Sequence, residues 1–243
     1  MNVVRSEIAK LTSLRSTWVY AILLVGSIAG PVVLMGLFAS DSTTDFHWND
    51  LLIAGDLFQM LAIIYAAAST SRDLAHGMHG QAFLTQPQRW NWLAAKMLVT
   101  GVFVLVLLAV SIGISLVVAP VFGLHLDSSG ATSILWAVLI GYPLYAVAAV
   151  GLAALVRSQI AAVGLPIVWM LIVEQLLGSA AMIYEFLRPV AQLLPNTTFG
   201  SLTTGFAFYD YIHTGWAGAA VLVGWLVVLC GLGFLANQKR DVK

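Results

Sequence analysis

The chain has 243 residues, of which 60% are hydrophobic and 9% charged, and its formal net charge is zero. A soluble domain usually carries about 25% charged residues. This chain has too few charges to cover its surface in water, so much of that surface must face lipid. The balanced charge excludes the basic surface of a nucleic-acid-binding protein. The single cysteine, Cys230, excludes an intramolecular disulfide framework.

The first segment, VVRSEIAKLTSLRSTW, has the pattern of an amphipathic helix. Val4, Ile8 and Leu11 fall near one helical face, and the charged residues fall elsewhere. Helices of this kind lie along a membrane interface. Residues 1–17 are therefore predicted to form an interfacial helix. The alternative is an ordinary basic flank that only fixes the topology.

Six apolar stretches follow, each long enough to cross a bilayer, which requires about 20 mainly apolar residues. They cover residues 18–39, 51–70, 91–118, 132–156, 159–183 and 216–236. The strand-like alternation of a membrane barrel is absent. The sequence therefore predicts an all-α integral membrane protein, with six transmembrane helices in a single transmembrane domain over residues 1–243.

The Lys and Arg residues predict the orientation of these spans. Of the eleven in the chain, all but Arg188 fall on the side that carries both termini. Loops rich in Lys and Arg stay in the cytoplasm. We therefore expect a multi-pass protein with both termini cytoplasmic.

Two loops are long enough to form structure of their own. On the cytoplasmic side, Leu74, Met78 and Ala82 recur every four residues, and Pro87 is well placed at the first turn of the next helix. A short helix over 71–86 buries little by itself, so it must dock either on lipid headgroups or on a partner protein. On the other side, residues 184–215 combine prolines with apolar patches, which predicts two short helices that dip back toward the membrane.

Four features, in this order along the chain, resemble a known family. An amphipathic SEIAKLTSLRS leads into the first span, and an acidic residue, Asp73, lies four residues before Gly77. FLTQPQRWNWLAAK then enters the third span, and LLPNTTFGSL precedes the last one. Together they resemble the permease subunit of an ABC-2 type ABC transporter, over essentially the whole chain.

The resemblance implies a role for each of these segments. Residues 71–86 would be the coupling helix that docks in a groove of an ABC ATPase subunit. Its docking residues would be Arg72, Asp73, Leu74, His76, Gly77, Met78 and Phe83. Residues 1–17 would be the elbow helix, and 184–215 an extracellular re-entrant hairpin.

The resemblance also implies partners and a location. A second permease chain, identical or related, would complete the pathway in a bacterial cytoplasmic membrane. ATP and Mg would bind to the partner ATPase. This chain has no G-x-x-x-x-G-K-[ST] phosphate loop, so we expect no cofactor and no enzyme activity in it alone. GLGFLA at 231–236 lies inside a span, where small residues favour close helix packing, as do Gly26 and Gly30.

Two acidic residues, Asp56 and Glu174, fall within the predicted spans. Carboxylates at membrane depth usually face the bundle interior, a cavity or a partner charge. Arg188 is the nearest candidate partner in the sequence. One interpretation of these acids is a structural pair with Arg188 or an acid that snorkels at the rim; the other is a polar point on a substrate path or at a subunit interface. His76 and His79 are too few to make a metal site.

These features favour a transport subunit for an apolar or amphipathic substrate such as a drug, lipid or peptide, moved outward. Pro143 and Pro166 interrupt two spans and allow kinks that suit a change of shape. One alternative is an intramembrane enzyme that uses Asp56 and Glu174. Another is a component of a secondary transporter or a sensor.

Overall fold

A computed structural model describes residues 2–38, 48–75, 89–124, 131–156, 158–204 and 212–239. Within these ranges every regular element is helical, which confirms the predicted all-α class. The first six helices are α1 (Asn2–Ser13), α2 (Arg15–Phe38), α3 (Trp48–Leu51), α4 (Gly55–Ala75), α5 (Arg89–Val121) and α6 (Ala131–Leu155). One continuous helix then consists of α7 (Gln159–Val168), a π-helical stretch (Trp169–Val173) and α8 (Glu174–Ile183). After a 3-10 turn (Glu185–Leu187) come α9 (Arg188–Ala191), α10 (Pro195–Thr204) and α11 (Gly215–Lys239).

Five helices among the described residues are long and apolar enough to cross a membrane. They are Arg15–Phe38, Trp90–Val121, Ile134–Leu155, Gln159–Ile183 and Gly215–Gln238. They indicate a multi-pass membrane protein, and each overlaps one of the six predicted spans. The predicted span at 51–70 is not among them.

That span corresponds to α4, whose composition is more polar than that of the other long helices. It carries Asp56 near its start and Arg72 and Asp73 near its end. Yet α4 packs against α2, α6 and α7, and both Gln59 and Thr70 are fully buried. Side chains that face protein rather than lipid can be polar without exposing that polarity to hydrocarbon. The weaker apolar character of α4 is therefore a consequence of its position inside the bundle.

The bundle core lies around α4 and α6. α6 packs against α4, α5 and α11, and its residues Val138, Ala146 and Val150 are fully buried. By contrast, α11 and the helix Gln159–Ile183 expose large apolar side chains, with Ile160 87% and Trp216 92% accessible. Surfaces of this kind are stable in a membrane, because lipid tails are as apolar as the side chains they contact.

Glycines bring α6 and α11 close together. A Cβ atom at Gly233 would lie 2.9 Å from the Cα atom of Gly151, and one at Gly151 would lie 2.7 Å from the carbonyl oxygen of Leu229. Only a residue without a side chain allows this approach, so the packing role predicted for 231–236 holds at Gly233. Gly26 and Gly30 differ from the prediction, because their Cβ positions meet nothing within 4 Å.

At each end of the bundle a short helix packs against the long ones. At one, which we call the α1 end, α1 packs on α5 beside the last turn of α4. At the other, the α10 end, α10 packs against α6, α8 and α11. Both ends bury ionisable side chains, and those groups define the candidate sites.

Candidate functional site

Four side chains from three helices form an ion-pair cluster at the α1 end. The Lys96 Nζ atom of α5 lies 2.8 Å from Asp73 Oδ2 of α4 and 3.4 Å from Glu7 Oε2 of α1. The Lys10 Nζ atom of α1 lies 2.7 Å from Glu7 Oε1 and 3.5 Å from Asp73 Oδ2. Each acid therefore contacts both amines, and the two positive and two negative charges cancel.

This cluster is shielded from solvent. The side chains of Glu7 and Asp73 are 3% and 4% accessible, that of Lys96 is 9%, and that of Lys10 is 24%. Burying a lone charge is very costly, and a buried pair offsets that cost only when the geometry is good and the remaining hydrogen bonds are made. Because every charge here has two opposite neighbours, the cluster can hold α1, α4 and α5 together.

The structure changes the assignment of the first predicted coupling residues. α4 continues to Ala75, so Arg72, Asp73 and Leu74 belong to its last turn and not to a separate short helix that begins at 71. Asp73 is turned into the bundle by its ion pairs, although it was predicted to lie on a docking surface. Arg72 Nη1 donates a hydrogen bond to Ser16 Oγ at 3.4 Å, and Leu74 packs on the apolar core. The remaining predicted docking residues lie outside the described ranges: His76, Gly77, Met78 and Phe83.

The N-terminal helix α1 has two functional faces. One face points into the bundle and buries Val3 and Glu7. Another leaves Ile8 48% accessible, with Val4 and Leu11 partly buried beside it. Of the three residues predicted to form the apolar face, Ile8 is exposed, as lipid contact would require, whereas Val4 packs against the apolar core and Leu11 lies beside Glu7 and Asp73. Glu7, which the sequence pattern placed outside the apolar face, anchors the inner face through its ion pairs.

A second buried carboxylate lies near the α10 end. Glu174 is 1% accessible and follows directly after the π-helical stretch. Its Oε1 atom accepts a hydrogen bond from the backbone N–H of Asn196 at 3.2 Å. Its Oε2 atom accepts from the backbone N–H of Thr197 at 3.0 Å and from Thr197 Oγ1 at 3.2 Å. These N–H groups belong to the first turn of α10, where a helix lacks internal acceptors and carries partial positive charge.

The inner helix α10 packs deeply among its neighbours. Phe199 contacts Tyr142 and Tyr145 edge-to-face, with ring centroids 5.2 and 5.4 Å apart. A Cβ atom at Gly141 would lie 2.7 Å from Phe199 Cζ, so this glycine makes room for the ring. The Gln59 amide of α4 adds a 3.3 Å hydrogen bond to Asn196 Oδ1. Two short helices thus lie within the predicted 184–215 hairpin, and α10 is held from three sides.

The candidate polar residues do not meet as predicted. Arg188 forms an ion pair with Glu185, 3.1 Å between Nη1 and Oε1, while Glu174 is bound by the N-terminus of α10. The helix terminus takes the place of Arg188 because it presents several N–H groups to one carboxylate. Asp56 is exposed in the first turn of α4 and has no described bond to Glu174. No group of three or more His, Cys, Asp or Glu able to hold a metal occurs among the described residues.

Comparison with known proteins gives one family. The model described as "Protein of unknown function (DUF2705)" matches residues 14–243. The chain belongs to this family. No curated protein matches it. The family match covers all the helices of this DUF2705 member except α1, and so includes Asp73, Lys96 and Glu174.

Sequence reasoning missed several residues that complete the two sites. Lys96 was recognised only as part of a pattern, and Glu7 only as a polar residue of α1. A signal was present for Lys96, because it is a charge inside the predicted span 91–118 and needs an opposite partner. Asn196 and Thr197 carried no comparable signal, since their contribution comes from backbone N–H groups.

Proposed function

We propose that the chain is the membrane-spanning permease subunit of an ATP-driven ABC exporter of the ABC-2 type. In this proposal α4 also crosses the membrane, as the second of six spans in chain order, and α2, α6 and α7 shield it from lipid. Six crossings place both termini on the same, cytoplasmic side of a bacterial cytoplasmic membrane. The partners would be ABC ATPase subunits, which bind ATP and Mg, and a second permease chain.

The observation that carries the proposal is the ion-pair cluster at the α1 end. α4 and α5 are the helices that flank residues 76–88, which include most of the proposed coupling segment. Asp73 at the end of α4 and Lys96 near the start of α5 are joined directly, and both are joined to α1. A force applied to the coupling segment by an ATPase would therefore act on three helices at once. A loop that only connected two spans would not require ion pairs that join three helices.

The α10 end supports the same proposal from the other side. α10 is packed inside the bundle through Phe199 and is tied to the long helix Gln159–Ile183 through Glu174. A π-helical stretch lies directly before Glu174, and such stretches are frequent at functional positions in helices. In an exporter, a change in this helix would move α10 and alter the outer part of the path for an apolar or amphipathic substrate.

The test is affinity purification of the chain from its native cells in a mild detergent, with mass spectrometry of what is recovered. We expect an ATPase that carries a phosphate loop. Gly77→Trp should reduce its recovery at least tenfold, because a bulky side chain would block the docking surface. Gly113→Trp is the matched control, since its Cβ position meets nothing within 4 Å, and should leave recovery unchanged.

Two outcomes would contradict the proposal. Recovery of the native chain without any ATPase would remove the motor, and equal ATPase recovery from Gly77→Trp would place docking elsewhere. Charge reversal of Asp73 is a poorer test, because it would disrupt the buried cluster as well as any contact with a partner. The unfolding temperature of each variant, measured beside the native chain, separates lost docking from lost folding.

A further inference from the structure

A cavity of about 210 Å³ lies inside a single copy of the chain, between α4, α6, the π-helical stretch and α11. Its wall is almost entirely apolar. The residues that give it its character are Tyr145, Ala149, Pro166, Trp169, Glu174 and Trp225. Glu174 therefore contributes both to the wall of this cavity and to the contact with α10.

The local helix geometry explains why a space remains here. Pro166 has no backbone N–H and cannot complete the regular hydrogen-bond ladder. Three residues later the helix adopts the wider π form, which adds a residue to one turn. Trp169, the first residue of that stretch, lines the cavity, and its ring packs against that of Trp225 with the two centroids 6.0 Å apart, so the two indoles form one part of the wall.

The carboxylate in the wall already has hydrogen-bond partners. Among the described lining residues Glu174 is the only carboxylate, and both of its oxygens accept hydrogen bonds from the first turn of α10. A cationic ligand would have to compete with these N–H groups. The Nε1 atom of Trp225 is also occupied, since it donates to the Leu193 carbonyl at 2.7 Å. The indole offers the cavity its apolar ring and not its polar edge.

The volume of the cavity and the position of its opening further limit the class of ligand. A dry apolar cavity of about 150 Å³ is sufficient to bind benzene, so about 210 Å³ accommodates one or two fused rings. The cavity is not closed, and Leu165 in its wall is 49% accessible. Leu165 belongs to the apolar helix Gln159–Ile183, which is long enough to cross a membrane, so we expect a ligand to enter from the lipid.

We propose that this cavity binds a neutral aromatic molecule of one or two fused rings that enters from the membrane. Aromatic rings pack well against tryptophan and tyrosine rings in offset or edge-to-face geometry, and three such rings line this wall. As a class of cargo, this inference rests on the proposed exporter function. As a binding site, it belongs to this chain alone.

The experiment uses the purified chain in lipid nanodiscs without any ATPase. Tryptophan fluorescence is titrated with 1-bromonaphthalene as the aromatic probe and with 1-bromodecane as the acyl-chain probe. We expect a saturable quenching component with 1-bromonaphthalene, and with 1-bromodecane only the linear quenching that follows from partition into lipid.

Two variants close the cavity in different ways. Ala149→Leu fills it from α6, and Leu165→Trp blocks its mouth from an exposed position that does not disturb the core. Each should weaken the saturable component at least tenfold. Ala137→Leu is the matched control, because Ala137 lines a different groove, between α6 and α11, and it should change the midpoint less than twofold.

Three results would overturn the inference. These are purely linear quenching of the native chain, the same saturation in Leu165→Trp as in the native chain, and equal saturation by 1-bromodecane, which would make this an acyl-chain site. None of them depends on the ATPase. Saturable aromatic binding by a chain that recovers no ATPase would leave the cavity assignment intact and reject the exporter proposal instead.

Discussion

The two ends of the bundle bury charge in different ways. At the α1 end, two carboxylates and two amines from α1, α4 and α5 neutralise one another through side chains. At the α10 end, the carboxylate of Glu174 accepts hydrogen bonds from backbone N–H groups at the start of one helix. The first arrangement joins segments distant in the sequence, and it fails when any one side chain is lost. The second depends on how one helix is turned relative to another, so it responds to a change in backbone geometry.

The largest effect is expected at the α1 end. Asp73→Ala removes the carboxylate 2.8 Å from Lys96 and leaves that amine buried with only a longer contact to Glu7. Breaking a buried pair from one side costs about 3–5 kcal/mol. The measurement is thermal or chemical unfolding of the purified chain in detergent. Asp56→Ala is the matched control, because it removes an exposed aspartate from the same helix. Equal stability of the two variants would contradict the role of the cluster.

A more local effect is expected for Glu174→Ala. The substitution leaves the N–H groups of Asn196 and Thr197 without their acceptors, and each unsatisfied buried group costs about 1–3 kcal/mol. The loss should be local, so backbone hydrogen exchange in the first turn of α10 is the measurement. Glu174→Gln keeps one acceptor oxygen and should be intermediate. If exchange there is as slow in the Ala variant as in the native chain, the cap does not hold α10.

The inward packing of α10 gives a third prediction, in which one substitution has opposite signs at two positions. Gly141→Ala places a methyl group against Phe199, and overpacking of this kind costs about 1–3 kcal/mol. Gly113→Ala meets open space and should stabilise its helix by up to about 1 kcal/mol. Phe199→Leu should partly rescue Gly141→Ala, because it removes the ring that the methyl group meets. A harmless Gly141→Ala would show that the contact with Phe199 is misplaced, and a destabilised Gly113→Ala would show that the space beside Gly113 is not open.

The difference between the ends also explains what the sequence could predict. The apolar stretches located five membrane-crossing helices, because about 20 apolar residues in succession have few other uses. The same reasoning assigned α4 a span at 51–70, although its helix runs from Gly55 to Ala75. Buried polar residues such as Gln59 and Asp73 have their partners in other helices. They make the ends of a membrane-crossing helix difficult to locate from apolar residues alone.

The ion-pair cluster was partly accessible to sequence reasoning, and the contact of Glu174 was not. A charge in or near a span predicts that a partner exists, but Glu7, Asp73 and Lys96 are far apart in the chain, and pairing them requires the packing of α1 against α5. For Glu174 the sequence suggested Arg188, the nearest cation. The actual partner is a helix terminus, whose N–H groups are the same in every sequence and leave no pattern of residue types.

The last and smallest expected quantity is the coupling between the two ends. Asp73 and Glu174 share no described partner, so the unfolding free energies lost in Asp73→Ala and Glu174→Ala should add to within about 0.5 kcal/mol in the double variant. Within the cluster the outcome should differ. Asp73→Ala combined with Lys96→Met should lower the free energy of unfolding by less than the sum of the two single changes. The second change removes the amine that the first leaves buried without its closest carboxylate. Additivity inside the cluster would mean that its charges are solvated separately. Strong non-additivity between Asp73 and Glu174 would mean that α4 transmits strain between the ends, and that the two regions are energetically coupled.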